Sequence, residues 1–557
     1  MPRKGVDSRL RISCTLVART PLHVGGIGPS VDTDLALAVN GAGGFYVPGT
    51  SLTGALRGWL LAGADDQRRK EVKRVWGWQE KNEGHASYVF VEDAPVSPPA
   101  GKSIVLSEIR EGVGIDRFSG AAANRIKYDR AILPRGTRIH FQMDVELAGS
   151  REEQDRARAL THEVLEALAH GRIRLGAGKS RGLGRLAEVK DLRICEQGLK
   201  AKAALLKTLD GTGEDKQLGD LKGPASECAG SRLTVEIDWR PRGPLMVKAE
   251  RDGFAVDMLP LVSAVDDHLT FVLPGSSIKG ALRSQAERIV RTLLSDVIED
   301  VRIVEGKQDF IDQIAVNVGR AQNGDTSASL IGWLFGVAGS AGPQKEDGES
   351  EGEEKAEGNG DEVPADRSPL PGFSAVTIDD CYSSPETRFS EAAWSAVEQA
   401  KDEEELREAL NAANLGNAQQ AFHVAIDRWL GGAAEGMLYT VLEPHGVNWE
   451  PISMTIDLAR LPDEQTQRLA VMLCLLTLRD FASGRIPLGF GANRGMGAIE
   501  VTGIRVGAAD HPTPAWAEQL TQIGFTSGRL SVPDELRHDL NRSWQEWIKQ
   551  ETAEARQ

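Results

Sequence analysis

Apolar and polar side chains alternate from Leu10 to Val17, which predicts a half-buried strand, and Arg232 to Trp239 repeats the pattern. Each is followed by a turn-rich stretch and then a short extended piece, Gly44–Val47 or Leu269–Leu273, that ends in Pro-Gly. Helical spacing starts there, as LTGALRGWLLAG in one case and IKGALRSQAERIVRTLL in the other. Thr50 or Ser51, and Ser276 or Ser277, are the expected N-caps. Ile139 to Leu147 and Ile452 to Leu458 predict another pair of strands. A second pair of helices is expected over Arg151 to His170, with Leu160, Val164, Leu165 and Leu168 on one face, and over Asp463 to Ser483. Gly171 and Gly484 stand where a left-handed residue ends a helix. Leu186 to Ile194 and Ala498 to Val506 read as closing strands.

The same unit is therefore written twice. YVPGTSLTGALR (Tyr46–Arg57) is answered by FVLPGSSIKGALR (Phe271–Arg283). IDRFSGAAANRIKYDRAILPRG (Ile115–Gly136) is answered by IDRWLGGAAEGMLYTVLEPHG (Ile426–Gly446), and GRIRLGAGKSRGLG (Gly171–Gly184) by GRIPLGFGANRGMG (Gly484–Gly497). Three blocks recurring in one order mark a duplicated domain. Within each copy the order strand, helix, strands, helix, strand predicts an α+β fold: an antiparallel sheet with helices on one side, the ferredoxin-like or RNA-recognition-motif arrangement. The expected organisation is a first domain over 1–195, a linker over 196–230 and a second domain over 231–507. The second copy carries an insertion at about 295–415, with an acidic loop at 341–368 and one probable helix, SEAAWSAVEQAKDEEELREALNAA. A helical tail over 508–557 either docks a partner or closes the core.

Composition narrows the class. In 557 residues no apolar run approaches the ~18 needed to span a membrane. The start, MPRKGVDSRLRISC, has charge but no apolar core, so no secretory signal is expected. Cys14, Cys195, Cys228, Cys381 and Cys474 are widely spread with no C-x-x-C, which excludes a disulfide framework and the usual zinc spacings and suits a reducing, cytoplasmic location. The formal charge of −16 argues against a nucleic-acid partner only until its distribution is seen. Lys345 to Asp366 holds ten acidic and two basic side chains, a solvated segment with half of the net charge. Lys102 to Arg138 has eight basic against four acidic side chains, and Gly171 to Lys190 six against one. A local basic surface on an acidic body is expected.

The glycine loops define what that surface would bind. Gly176-Ala-Gly178-Lys179-Ser180 is not a Walker A loop, because Ile173 stands where the first glycine is needed and the loop joins a helix to a strand. Arg181 and Arg494 occupy the third glycine position of a dinucleotide fingerprint. Unobstructed N–H groups at Gly176, Gly178, Gly489 and Gly491, each loop with an arginine beside it, suit a ribose-phosphate backbone.

LHVGG (Leu22–Gly26), PGTSLTGALR and GAGKSRGLG together resemble the RAMP superfamily, and more narrowly the backbone subunits of type III CRISPR effector complexes. Two units on one chain resemble the fused double-backbone subunit of type III-D. The resemblance implies that each unit is a ferredoxin-like palm that holds guide RNA (crRNA) and inserts a thumb hairpin to kink one base pair. It implies assembly with other effector subunits and pairing of the guide with a complementary target RNA. It also implies an aspartate, in the loop after the first strand, that supports metal-dependent cleavage of that target. Asp34 fits that place in the first copy, with Asp32 as the alternative. Asp257 fits in the second, with Asp252 the weaker choice. These aspartates would hold Mg²⁺ or Mn²⁺. The thumbs should correspond to Ile115–Gly136 and Ile426–Gly446, with Arg117 and Arg428 beside Phe118 and Trp429. Further guide contacts are expected from His23, Ser51, Arg57, Arg125, Lys127, Arg130 and Lys179 in the first copy, and from Ser277, Lys279 and Arg283 in the second. His23 has Met246 as its counterpart, so packing suits it better than base catalysis.

RNA carries its own nucleophile, the 2′-hydroxyl, and cleavage requires that this oxygen be aligned with the adjacent phosphorus. A carboxylate of ordinary pKa ~4 is a poor base at neutral pH, so positioning a metal is its better role. Two other readings stand beside the nuclease: a scaffold that only coats guide RNA, and a guide-processing endonuclease, which the absence of paired histidines disfavours.

Overall fold

The computed structural model describes residues 5–26, 33–80, 83–99, 107–115, 122–222, 232–249, 253–294, 330–336, 374–508, 515–526 and 528–554. Asp32, Asp252, Arg117, Phe118 and the acidic segment 341–368 lie outside them, as does the side chain of Arg125.

The long first strand, Val6–Ala18, alternates buried and part-exposed positions, and Leu10, Ile12 and Leu16 are fully buried. It pairs antiparallel with Arg138–Ala148 on one side and Leu186–Gly198 on the other. Arg138–Ala148 in turn pairs antiparallel with Val89–Val91. Counting these four core strands in chain order, the sheet runs fourth, first, third, second. The second unit repeats it. Arg232–Pro241 lies between Ile499–Ala508 and Ile452–Asp457, and Val376–Ile378 flanks the latter, all antiparallel. Helices Gly49–Leu61 and Arg151–Ala169 pack on the first sheet, and Gly275–Leu293 and Glu464–Ala482 on the second, in two separate apolar cores.

Local signals set the helix ends. Ser150 and Glu153 form a capping box, and Asp463 accepts from the Thr466 N–H at 2.8 Å. Gly171 and Gly484 end their helices at φ +63° and +73°. The first helix of each unit departs from expectation. Neither Thr50 nor Ser51, nor Ser276 nor Ser277, is an N-cap: the helices begin at Gly49 and Gly275, behind Pro48 and Pro274. The N–H of Gly49 donates instead to Asp93 (2.7 Å), and that of Gly275 to Asp380 (2.8 Å). A side chain at either glycine would meet a strand carbonyl, Val91 O at 2.3 Å or Ile378 O at 2.1 Å, so the close approach that brings in the aspartate needs glycine.

Those contacts also correct the insertion. Val376–Ile378 and Asp380 do what Val89–Val91 and Asp93 do in the first unit, so residues 374–383 belong to the duplicated unit. The single helix expected over 390–413 is two, Glu391–Gln399 and Glu403–Ala412, because Asp402 caps a new start after an extended Ala400. Trp394, Val397, Leu406 and Leu410 anchor both in the second core. Residues 196–222 of the expected linker are structured as well. The closing strand continues to Gly198, a helix spans Lys202–Leu209, and Glu214–Lys216 pairs with the sheet edge at Ile194–Glu196. Leu221 is buried in the first core. Its Gly- and Lys-rich composition conceals an edge-covering segment. The C-terminal helix Asp534–Glu554 buries Leu536, Leu540 and Trp544 against the second core, so the tail closes that core. Among the described residues no helix is long and apolar enough to cross a membrane.

Candidate nucleic-acid interface

The segments expected as thumbs lie in two-stranded hairpins, Glu108–Ile115 with Ala122–Ile132 and Ala418–Ile426 with Ala433–Pro444, called thumbs below for their place in the chain. The predicted segments cover the returning strand of each hairpin, while the outgoing strand lies mostly upstream of both. In the second thumb the Asp427 carboxylate accepts from the N–H groups of Trp429 (2.7 Å) and Leu430 (3.1 Å), fixing the tip. Trp429 is 93% exposed and Leu430 79%, with Arg428 exposed between Asp427 and Trp429. This hairpin therefore presents apolar side chains to water at its tip.

At the foot of each hairpin the two aspartates sit in matching geometry. The N–H of Asp34 donates to the Asp129 carboxylate (2.6 Å), and the N–H of Asp129 donates back to Asp34 Oδ2 (3.0 Å). In the second unit the N–H of Asp257 donates to Thr440 Oγ1 (3.0 Å), and the N–H of Thr440 donates to Asp257 Oδ2 (2.7 Å). The Thr440 hydroxyl adds a bond to the same oxygen at 2.9 Å. The next residues, Leu35 and Met258, bridge in parallel to Arg130 and Val441 of their thumbs. Asp34 and Asp257 are thus equivalent, each clamped to the returning thumb strand. Asp129 and Thr440 were missed in the sequence. Their signal is a tyrosine followed by an oxygen-bearing side chain, Tyr128-Asp129 and Tyr439-Thr440, at matching places in the second repeated block.

The late loops converge on the same thumb strands. Arg181 Nη1 donates to Tyr128 OH at 2.7 Å, and Arg494 donates to Tyr439 OH. Arg130 lies 5.7 Å from the Tyr128 ring centroid, and Arg494 5.6 Å from that of Tyr439. Gly178 and Gly491 share φ +69° and ψ 20°, each opening a single 3₁₀ turn. A Cβ on Gly176 would lie 2.1 Å from His23 O, and one on Gly489 2.2 Å from Met246 O. Those carbonyls accept from the Ala177 (2.8 Å) and Phe490 (2.7 Å) N–H groups. His23 itself is buried, and its Nδ1 bonds Ala131 O at 2.7 Å. Burial, followed by the nearby Arg130 and Arg181, holds its pKa below the usual imidazole value. It joins thumb to late loop as a neutral ring.

The remaining candidates divide. Ser51 is exposed on the first turn of its helix, Ser277 is half-buried on its own, and Arg57 is half-buried. Lys127 is exposed and pairs with Glu111. Arg283 is spent on Glu287 (2.7 Å) and on Gly336 O (2.8 Å). Lys279 is buried: its Nζ donates to Ser374 Oγ (2.8 Å) and to Ser180 O of the first unit (3.2 Å). It joins two units and is closed to an RNA backbone. Lys179 is turned the same way, its pKa lowered by burial and then by Arg460 of the second unit. Burial, then Arg283, Arg181 and Arg460, hold Lys279 well below the ordinary lysine value. The unfolded chain therefore binds more protons than the folded one between those two values, so stability rises with pH across that window. In Lys279→Met this part of the pH dependence should vanish, as read by denaturant unfolding between pH 7 and 10.

The chain is thus a tandem α+β protein in which both units present a clamped aspartate, a hairpin and an arginine-bearing glycine loop in matching places. The sequence profile of the RAMP superfamily matches residues 15–187 and 262–500, and the chain belongs to that superfamily. The matched segments fall within the two units just described, the second beginning after the strand Arg232–Pro241 and after Asp257. Membership associates the chain with CRISPR effector complexes, their guide RNA and their other subunits. No curated protein matches it.

Proposed function

We propose that the chain is a guide-RNA-binding backbone subunit of a type III CRISPR effector complex, of the fused double-backbone kind, that cleaves complementary target RNA at two sites. The ferredoxin-like palm reading is supported by the strand order of both sheets. The single observation that carries the cleavage reading is the reciprocal clamp that holds Asp34 and Asp257 at equivalent places by the two thumb feet.

The chemistry follows from RNA itself. A thumb tip that unstacks a base pair turns the target 2′-oxygen toward its own phosphorus. That oxygen attacks, the bond to the 5′-oxygen breaks, and the products are a 2′,3′-cyclic phosphate and a 5′-hydroxyl. The N–H clamp fixes one carboxylate oxygen of each aspartate against the thumb strand, so its place relative to the kinked phosphate is set by folding. Among the described residues no group of three or more His, Cys, Asp or Glu side chains comes together. A single carboxylate suits Mg²⁺ or Mn²⁺, which takes most of its oxygens from phosphates and water. When bound to Asp34 or Asp257, the ion would neutralise charge on the cleaved phosphate. Arg181 and Arg494, aimed by their tyrosines, hold guide phosphates, and sequence is read by base pairing.

Arg181→Ala and Arg494→Ala should each weaken guide binding about equally for all guide sequences and lower the salt slope of log K by about 1. Fluorescence anisotropy with labelled guide RNA across a salt series measures both. An unchanged slope in both variants would remove the late loops from the RNA path.

A further inference from the structure

The two units meet through a buried ionic clasp. Arg174 and Arg185, flanking the first late loop, each donate to the Asp379 carboxylate at 2.6 Å. Arg110, on the outgoing strand of the first thumb, pairs with Asp380 and also donates to Ser263 Oγ at 3.0 Å. Gly182 of the same loop packs on Asp380, where a Cβ would lie 2.7 Å from a carboxylate oxygen. Three arginines on a donor face of the first unit thus close over two aspartates on an acceptor face of the second.

The duplication makes both faces recur. The acceptor face of the first unit is Glu92 and Asp93. Asp93 caps its helix as Asp380 does, and the Glu92 N–H bonds Gln142 O (3.2 Å) as that of Asp379 bonds Ser453 O (3.0 Å). Asp379 and Asp380 are 5% and 7% exposed, whereas Glu92 and Asp93 are exposed to solvent. The donor face of the second unit lacks the three arginines. Thumb register places Ala421 where Arg110 stands, and the repeated loop places Pro487 and Ala498 where Arg174 and Arg185 stand. Gly495, the counterpart of Gly182, has nothing within 4 Å of where a Cβ would be.

We infer that Glu92 and Asp93 form a docking face for the late loop and thumb base of a neighbouring RAMP unit on another chain, one that carries arginines where this chain has Arg110, Arg174 and Arg185. This rests on the reading that the chain works beside other effector subunits. The occupant is not a second copy of this chain, because its first-unit arginines are engaged and its second unit has none at the three counterpart positions Ala421, Pro487 and Ala498. The clasp therefore gives the chain one direction: an arginine-bearing neighbour at the first unit, and at the second a partner recognised by other chemistry.

The test rebuilds the missing donor face. The full-length variant A421R/P487R/A498R, without RNA or other subunits, should associate head to tail at least tenfold more tightly than wild type in sedimentation velocity. Adding Glu92→Lys and Asp93→Asn should return it to the wild-type behaviour. Asparagine keeps an oxygen for the Gly49 N–H, and Glu92→Lys alone should already weaken association. A triple variant that stays as wild type, or association that survives E92K/D93N, overturns the inference. The assay contains no RNA, so its failure is distinct from failure of the cleavage reading.

Discussion

In the assembled complex, Asp34→Asn should abolish one of two cuts in a complementary target RNA while leaving the other, and Asp257→Asn should do the reverse. Asparagine retains an oxygen for the N–H of Asp129 or Thr440, so the thumb foot stays closed and only the charge is lost. The expected loss at the affected site is about 10²–10⁴-fold, the usual range for a positioned acid, base or metal carboxylate. Single-turnover cleavage of end-labelled target gives each site separately, and guide retention measured alongside should be unchanged. Thr440→Val keeps the N–H bond and removes the hydroxyl bonds, so the second cut should slow by about tenfold, consistent with loss of one positioning contact. Two undiminished fragments in both aspartate variants would leave a guide-coating scaffold.

Asp379→Ala should be the most destabilising of the changes at the unit interface. Its carboxylate sits 6% exposed between Arg174 and Arg185. Burial alone would raise its pKa, but the two guanidiniums together hold it below the ordinary carboxylate value. Removing it leaves both arginines without their buried counter-charge, and loss of one partner from a buried ionic group costs about 3–5 kcal/mol. The sign of the pH effect follows from the lowered pKa. The contribution of Asp379 is complete at neutral pH and is lost as pH falls below the ordinary carboxylate range toward its own lower value. Denaturant unfolding of wild type and Asp379→Ala from pH 7 down to pH 2 measures both. The variant should lose cooperativity between the units, and its difference from wild type should shrink in acid. A loss under about 1 kcal/mol would show that the clasp does not hold the units together.

Much of this was legible along the chain. Alternation placed the first strand of each unit, and apolar spacing placed the helices at 151–169 and 464–482 nearly to the residue. Glycines at loop positions that need φ above zero marked the late loops, because few other residues adopt that backbone. Asp34 and Asp257 are candidates by their distance from Pro-Gly and by family resemblance, and the structure places them equivalently. The spacing differed between copies, and sequence alone could not pair them. The misreadings share one cause. Thr50, Ser51, Ser276 and Ser277 are local candidates for a cap, but the partners actually used, Asp93 and Asp380, arrive from strands far along the chain. Lys279 sits in a block shared with the first copy, and nothing local says that it ends against Ser180.

The sequence by itself determined the duplication, the α+β order of each unit and the residue types at the thumb and late loop, since these depend on periodicity, turn chemistry and repetition. The tertiary structure alone decided which side chains meet: Asp34 with Asp129, Asp257 with Thr440, Arg181 with Tyr128, and three arginines with two aspartates across the units. Such pairs join segments separated by up to 270 residues. Their energies depend on burial and on distances of a few ångströms, neither of which a linear order of residues encodes.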